Sequence, residues 1–282
     1  MVILNGPGDV ELRRTVSGDR DSLPSRQPRT VAILGFVLIA GLIAAVAFVL
    51  FRGARSERAQ NAAPPRADAV KVRQVPTDVN TLPPLDETDA LVRELVRALS
   101  AHPVAAAWLA NERLIVNFVV VTGKIADGVT PAAELKSIGP IAPFQVRDAR
   151  SLSIDQSSYR RYDRYAQAVA ALDAGGVARL YETIKPRVNE ADRNFGGAGA
   201  FDAVLERAIV ELLQVPVVEG DVAIRPAGIG YALADPKLEG MSAAQKQLFR
   251  MGPDNVRAIQ HKLREIASAL GIPDSRLPRP SQ

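Results

Sequence analysis

The feature that most constrains this chain is an apolar run from Val31 to Phe51, VAILGFVLIAGLIAAVAFVLF, which contains no charged residue and no proline. As a helix rising about 1.5 Å per residue, the run would be about 31 Å long, which matches the hydrocarbon core of a bilayer. The apolar part of a secretory signal is shorter and ends at a small-residue cleavage site, whereas this run ends in bulky residues followed by Arg52. The run therefore predicts an uncleaved transmembrane helix at residues 31–51 in contact with the lipid bilayer.

The basic residues beside the predicted span do not decide its orientation. The positive-inside rule places the flank richer in Arg and Lys in the cytoplasm, counted within about 20 residues of the membrane. Five basic side chains lie on each side of the run within that distance. The count is a tie, so the compartment of the larger C-terminal part stays open at this point.

Polar segments without hydrophobic periodicity flank the span, and they predict disorder because they bury too few apolar groups to offset the entropy of ordering. They are an N-terminal tail at residues 1–30, a linker at residues 52–84 with five prolines, and a C-terminal tail at residues 272–282. Between the linker and the tail, residues 85–271 are predicted to form one globular domain. A linker of this length has a mean reach of about 30 Å.

The charge distribution argues against nucleic acid as a partner. The chain has a net charge of +4, and the whole excess lies in residues 1–84, which leaves residues 85–282 neutral. Binding to a phosphate backbone requires a basic face on the folded domain. We therefore expect no nucleic-acid binding.

Hydrophobic periodicity within residues 85–271 predicts a mainly α fold with a small β element. Apolar stripes at helical spacing begin at Leu91, Val177, Val204 and Val256, and Gly271 is positioned as the cap of the last helix. The segment NFVVVT at residues 117–122 fits a strand or a helix, and we favour a helix. Short strands are predicted in residues 144–154 and around Val215 to Ile224.

The sequence is poor in groups that carry catalysis or hold a cofactor. It has no cysteine and two histidines, His102 and His261, and no metal-binding or dinucleotide-binding motif, so we expect no metal, no cofactor and no catalytic residue. Ser242 lies in a weak likeness to a nucleophile elbow, but with Gln245 three residues later it fits a helix-capping box better.

Two segments are denser in aromatic and charged side chains than a plain helix face requires. They are YRRYDRY, which begins at Tyr159, and YALADPKLEGMSAAQKQLFRMGPDN, which begins at Tyr231. A Tyr-lined rim of the core and a helix corner with paired surface charges would explain them structurally, whereas a partner-binding patch would explain the abundance of Tyr and Arg, which are favoured at interfaces. The candidate binding residues are Arg161, Tyr162, Tyr231, Asp235, Lys246 and Arg250.

These two segments, together with LPPLDETDALVRELV, resemble an uncharacterised bacterial family known as domain of unknown function 3014. The resemblance extends from about Leu82 to Leu270, and the segment ADPKLEGMSAAQKQLFRMGPDN is its most specific part. Such proteins typically carry one N-terminal membrane span and a linker. The resemblance implies an envelope protein and assigns no catalytic residue.

From these features we expect a single-pass protein of the bacterial inner membrane, with its C-terminal domain on the periplasmic side. The expected function is a non-enzymatic interaction or assembly module that binds an envelope protein. The alternative is an envelope hydrolase that acts through an Asp/Glu carboxylate pair, for example on peptidoglycan, because two carboxylates suffice for glycoside cleavage.

Overall fold

The computed structural model describes residues 82–135, 139–148 and 151–279. The helices in these ranges are α1 (Asp89–Leu99), α2 (Pro103–Leu109), α3 (Leu114–Ala126), α4 (Gln156–Arg160), α5 (Asp163–Ala170), α6 (Ala174–Asn194), α7 (Phe201–Leu213), α8 (Pro236–Glu239), α9 (Ala243–Phe249) and α10 (Pro253–Ala269). The strands are β1 (Val146–Asp148), β2 (Leu152–Ile154), β3 (Ile224–Ala227) and β4 (Gly230–Leu233). The predicted class, mainly α with a small β element, is confirmed for this part of the chain.

The long helices bury the apolar stripes that the sequence predicts. In α6 the stripe that begins at Val177 is buried along its whole length, and in α10 the stripe from Val256 to Ile266 is buried as well. Residues 117–122 are helical, as favoured, and lie within α3. Both Val119 and Val121 of α3 are buried, on different sides of the helix, which explains why its pattern also resembled a strand.

The core lies where α3 packs against α6 and α7, while α10 packs against α5, α6 and α7. Phe118 of α3 is at its centre, with its ring centroid 5.6 Å from that of Phe201 and 6.5 Å from that of Tyr181. Burial of an aromatic side chain of this kind stabilises the fold by about 1.5–3 kcal/mol. One aromatic cluster thus joins α3 to the consecutive helices α6 and α7, which lie far from it in sequence.

The start of α3 is capped by a residue from another helix. Its own N-cap residue, Arg113, has a left-handed backbone with φ of 54° and provides no side-chain hydrogen bond. The carboxylate of Asp89, in the first turn of α1, accepts hydrogen bonds from the backbone N–H of Arg113 at 2.7 Å and of Leu114 at 2.8 Å. Asp89 therefore satisfies donors that the helix start leaves unpaired, and it joins α1 to α3.

Local capping signals in the last third of the domain form as predicted. Ser242 and Gln245 make the reciprocal capping box at the start of α9. At the end of α10, Gly271 has φ of +77°, and its N–H and that of Ile272 donate to the carbonyls of Ser268 and Ala267. This is the Schellman arrangement, which requires a left-handed residue and explains the glycine.

Two antiparallel hairpins make up the β element. β1 pairs with β2, as predicted for residues 144–154, and β3 pairs with β4 across a two-residue turn at Gly228 and Ile229. The prediction of a strand around Val215 to Ile224 is wrong for most of that stretch, because residues 215–222 have no regular structure and the strand begins at Ile224. Val215 and Val222 are buried, so their β-branched side chains serve packing rather than strand pairing.

Both ends of the described chain pack onto the domain, which corrects the predicted disorder for residues 82–84 and 272–279 alone. Leu82, placed in the 52–84 linker by its sequence, is buried, and its carbonyl accepts a hydrogen bond from Arg187 at 2.8 Å. In the 272–282 tail, residues 274–276 form a 3₁₀ turn, Leu277 is buried, and Arg264 donates to the carbonyl of Pro278 at 2.6 Å. Apolar contacts and hydrogen bonds from arginines hold these two ends on the domain. The proline-rich composition of the ends gave no sign of these contacts.

The predicted transmembrane run at residues 31–51 lies outside the described residues, as do the 1–30 tail and most of the linker. Within the described ranges, no single helix combines the length and the apolar character needed to cross a bilayer.

Candidate functional site

The Tyr-rich segment YRRYDRY forms the junction of two helices rather than one continuous helix. α4 ends at Arg160 and α5 begins at Asp163, so Arg161 and Tyr162 lie at the break. Tyr162 is 4% exposed, which agrees with its predicted inward position. Burial raises the pKa of Tyr162 to about 12, so its hydroxyl stays protonated at neutral pH.

Arg161 is a half-buried cation held between backbone carbonyls and aromatic rings. Its guanidinium donates to the carbonyls of Ser158 at 2.9 Å and Ala142 at 3.2 Å, and to the hydroxyl of Tyr162 at 3.3 Å. The guanidinium carbon also lies 5.4 Å from the ring centroid of Phe144 and 4.9 Å from that of Tyr162. These cation–π contacts fix the side chain in place. Burial lowers the pKa of Arg161 from its ordinary value.

Phe144 connects Arg161 to Tyr231, which lies on β4. The ring centroids of Phe144 and Tyr231 are 6.0 Å apart, and Tyr231 is 41% exposed. Phe144 was not among the candidate residues, because its position beside β1 indicated a strand and nothing local indicated its partners. Through Phe144, the structure brings together three of the candidates, Arg161, Tyr162 and Tyr231.

The other predicted corner, around α8 and α9, is built from local hydrogen bonds. Asp235 caps α8 by accepting from the N–H of Lys237 at 2.7 Å. Lys246 donates to both the side-chain carboxylate and the backbone carbonyl of Glu239, each at 2.9 Å, and the same carboxylate accepts from the N–H of Leu233 at 2.8 Å. Glu239, which is not among the candidate binding residues, is thus the centre of this corner.

Arg250 links the two segments electrostatically. It is half-buried, and burial lowers its pKa, while electrostatic interactions with Glu239 and Tyr162 act in the opposite direction. Arg250 therefore lies within the influence of both corners. Asp235 and Lys246, by contrast, have local partners that account for them structurally.

The role of Lys246 can be tested by replacing it with glutamine, which should lower the free energy of unfolding by about 1 kcal/mol at neutral pH. A hydrogen bond from Lys246 lowers the pKa of Glu239, so the folded state favours the ionised carboxylate. This stabilisation is present above the ordinary glutamate pKa of about 4.3 and is lost as pH falls through the lowered folded value. The free energies of unfolding of the two proteins, measured by urea denaturation, should therefore differ at pH 7, and the difference should shrink as pH falls below the ordinary glutamate pKa of about 4.3.

Lys237→Gln is the matched control, because Lys237 is an exposed lysine on α8 with no side-chain ion pair among the described residues. It should change the free energy of unfolding by less than about 0.5 kcal/mol. Equal stability of the Lys246→Gln and unchanged proteins at pH 7 would show that the ion pair with Glu239 does not stabilise the fold.

The start of α10, which follows the end of α9, packs on the Tyr-rich segment and is hydrogen-bonded to it. The side-chain amide of Asn255 lies 3.2 Å from the carbonyl of Tyr159 and 3.0 Å from the carboxylate of Asp163. Gly252 is the N-cap of α10 and packs so closely on the ring of Tyr159 that an added Cβ would lie 2.5 Å from the ring. The two segments that stood out in the sequence are therefore in direct contact.

Beside this junction lies an open groove of about 470 Å³, which we call the arginine groove. It is lined by Pro140, Ile141, Ala142, Arg160, Arg161, Asp163, Arg164 and Gln167. Three guanidinium groups face a single carboxylate in this lining, so the groove carries a net positive charge. Such a surface is suited to binding anions.

Tyr181, Lys185 and Asp202 form a further polar cluster that the sequence analysis did not single out. The Tyr181 hydroxyl donates to Asp202 at 2.7 Å, and Lys185 pairs with the same carboxylate at 2.8 Å. Burial, followed by the hydrogen bond to Asp202, raises the pKa of Tyr181. The tyrosine is therefore a hydrogen-bond donor at neutral pH and not a general base.

The described residues contain no group of three or more His, Cys, Asp or Glu side chains arranged to hold a metal ion. Fold and groove together define a mainly helical domain with a small β element and an arginine-rich surface. The chain belongs to the family described as "Protein of unknown function (DUF3014)", whose profile matches residues 114–267, just over half of the sequence. The resemblance noted in the sequence is thus confirmed. No curated protein and no solved structure matches the chain.

Proposed function

We propose that the protein is anchored in the bacterial inner membrane by residues 31–51 and acts as a non-enzymatic interaction or assembly module on the periplasmic side. The observation that carries the anchor is the run of 21 uncharged residues from Val31 to Phe51. The linker that follows would let the domain reach about 30 Å from the bilayer to meet an envelope protein.

The periplasmic placement rests on the family resemblance, because the charge count on the two sides of the span is a tie. A domain tethered on the cytoplasmic side is the other arrangement that the charge count permits. The two placements are separable by a topology reporter.

An interaction role agrees with the surface chemistry of the domain. Tyr and Arg are the residue types favoured at binding hot spots, and both are concentrated around the arginine groove. Arg161 is held rigidly by two carbonyls and two rings, so little entropy would be lost when a partner binds beside it.

A hydrolase that uses an Asp/Glu pair remains the alternative proposal. Its general acid would need a carboxyl group with a raised pKa. The pKa values of the Asp155, Asp202 and Glu239 carboxyl groups are lowered instead. Hydrogen bonds from Ser157 and Lys246 lower the pKa of Asp155 and of Glu239, respectively, and at Asp202 the hydrogen bonds accepted from Lys185 and Tyr181 outweigh the effect of burial, which raises the pKa. These directions favour the interaction module.

Membrane fractionation tests the anchor. We expect the full-length protein to stay in the membrane pellet after carbonate extraction, because a spanning helix is held by the hydrophobic effect and not by charge. A variant that lacks residues 1–52 should appear in the soluble fraction. Recovery of the full-length protein in the soluble fraction would contradict the anchor.

A reporter fused after Gln282 tests the compartment. Alkaline phosphatase, which is active only in the periplasm, should be active in this fusion, and a fluorescent reporter that matures only in the cytoplasm should stay dark. The opposite pair of results would place the domain in the cytoplasm and overturn the periplasmic part of the proposal.

A further inference from the structure

The charge of the arginine groove is not neutralised by its own lining. Arg160, Arg161 and Arg164 oppose one acidic residue, Asp163, whose carboxylate already lies 3.0 Å from the side-chain amide of Asn255. The groove is open to solvent, so a ligand can approach without a conformational change. An anion placed there would meet guanidinium groups without strong repulsion.

Two of the three guanidinium groups are accessible to a ligand. Arg160 and Arg164 are exposed, and Arg160 makes no side-chain hydrogen bond or ion pair with another described residue. Arg164 is oriented by Tyr165, because it donates to the Tyr165 hydroxyl and its guanidinium carbon lies 4.6 Å from the ring centroid. Planar guanidinium forks of this kind pair with carboxylates through two parallel hydrogen bonds.

Apolar side chains lie beside these cations. Ile141, in the groove lining, is 92% exposed, and Tyr231 is 41% exposed and lies against Phe144, whose ring in turn contacts Arg161. A bare phosphate or a free carboxylate would leave these side chains in water. A peptide that carries an apolar residue next to Asp or Glu would cover them and pair with the arginines at the same time.

The chain's own segments before residue 82 are poor candidates for this ligand. The 52–84 linker has six basic and three acidic side chains, and the 1–30 tail has five basic and four acidic ones. Both segments are net positive, so they would be repelled by the groove. Charge complementarity therefore points to a separate chain.

We infer that the arginine groove binds an acidic peptide segment of a partner protein, with Asp or Glu carboxylates paired to Arg160 and Arg164 and an apolar side chain packed on Ile141. This inference rests on the proposed role as an interaction module and names the chemistry of the partner. It does not depend on which side of the membrane the domain lies.

The test is a binding measurement on the full-length protein in nanodiscs of neutral phosphatidylcholine. The probe is a fluorescent dodecapeptide in which Asp and Glu alternate with Leu and Phe, and its twin has Asn and Gln in place of every acid. We expect fluorescence anisotropy to show saturable binding of the acidic peptide, weakened by added salt, and at least about tenfold weaker binding of the amide twin.

Variants locate the binding to the groove. The double variant Arg160→Gln with Arg164→Gln should lower the affinity for the acidic peptide by about tenfold, and Arg160→Gln alone should lower it by about threefold. Each substitution removes charge-assisted hydrogen bonds to the peptide. The control is Arg97→Gln with Arg207→Gln, which removes two exposed arginines from α1 and α7 and should change the affinity by less than about twofold. The single variant keeps the test valid if the double variant loses stability.

Three results would overturn the inference. The first is that the control pair weakens binding of the acidic peptide as much as the groove variants do. The second is that the acidic peptide and its amide twin bind equally well. The third is that soluble short-chain phosphatidylglycerol binds while neither peptide does, which would indicate a lipid headgroup as the ligand. Failure of the peptide to bind leaves the membrane fractionation and reporter results unchanged. A cytoplasmic reporter result likewise leaves the binding result unchanged, so the two proposals fail separately.

Discussion

Replacing Gly252 with alanine is expected to lower the free energy of unfolding by about 3–5 kcal/mol, a large effect for the addition of one methyl group. Gly252 has φ of 89° and ψ of 161°, a backbone conformation that is essentially restricted to glycine. The added Cβ would also lie 2.5 Å from Cγ and 2.7 Å from Cβ of Tyr159. Backbone strain and steric overlap therefore add at a single position, and urea denaturation measures the sum.

Two further variants separate the contributions of backbone strain and of steric overlap to the cost of Gly252→Ala. Gly271→Ala shows the cost at a positive-φ position without steric overlap, because Gly271 has φ of +77° and no heavy atom within 4 Å of an added Cβ, so it should cost only about 1–2 kcal/mol. In a Tyr159→Ala background, Gly252→Ala should cost less than in the unchanged protein, because the ring that it overlaps is gone. Equal costs for Gly252→Ala and Gly271→Ala would show that the contact with Tyr159 does not constrain the junction.

Replacing Asp89 with alanine should lower the free energy of unfolding by about 2–4 kcal/mol. The substitution removes both hydrogen bonds from Asp89 to the start of α3, and it leaves the N–H of Leu114, a fully buried residue, without its partner. Amide hydrogen exchange should show lost protection in the first turn of α3 before the rest of the helix. Urea denaturation gives the total.

Asp89→Asn should have an intermediate effect, because the amide oxygen can still accept a hydrogen bond but carries no charge. Glu94→Ala is the control on the same helix, since Glu94 is exposed, and it should stay within about 0.5 kcal/mol of the unchanged protein. A loss for Glu94→Ala as large as that for Asp89→Ala would indicate that general weakening of α1, and not the cap of α3, causes the effect.

Most helices could be predicted from the sequence because their signals are local. The stripe of α6, the capping box at Ser242 and the glycine cap at Gly271 each need only a few neighbouring residues to form. The cap of α3 by Asp89 could not be predicted, because it joins residues 24 and 25 positions apart that meet only after α1 and α3 pack. Leu82 and Leu277 were predicted to lie in disordered segments for the same reason, because they are buried only once distant parts of the chain pack around them.

The candidate site could be predicted in part, since composition identified the segments but not their contacts. Arg161, Tyr162 and Tyr231 stood out by residue type, whereas Phe144 connects them only because β1 folds beside the junction of α4 and α5. The groove itself depends on residues 140–142, which carry no motif. For Lys246 the sequence left a binding surface and a corner of paired surface charges open, and the structure shows a pair with Glu239, seven residues away.

The hydrogen bonds of Arg187 give the domain a defined mechanical attachment point. Its guanidinium donates to the carbonyls of Leu82 and Pro83 at 2.8 and 2.7 Å and pairs with Glu190 at 2.6 Å. If the preceding linker leads to a membrane anchor, tension on that linker would enter the domain at α6, its longest helix. The load would thus be passed first to a core helix that packs against α3 and α10.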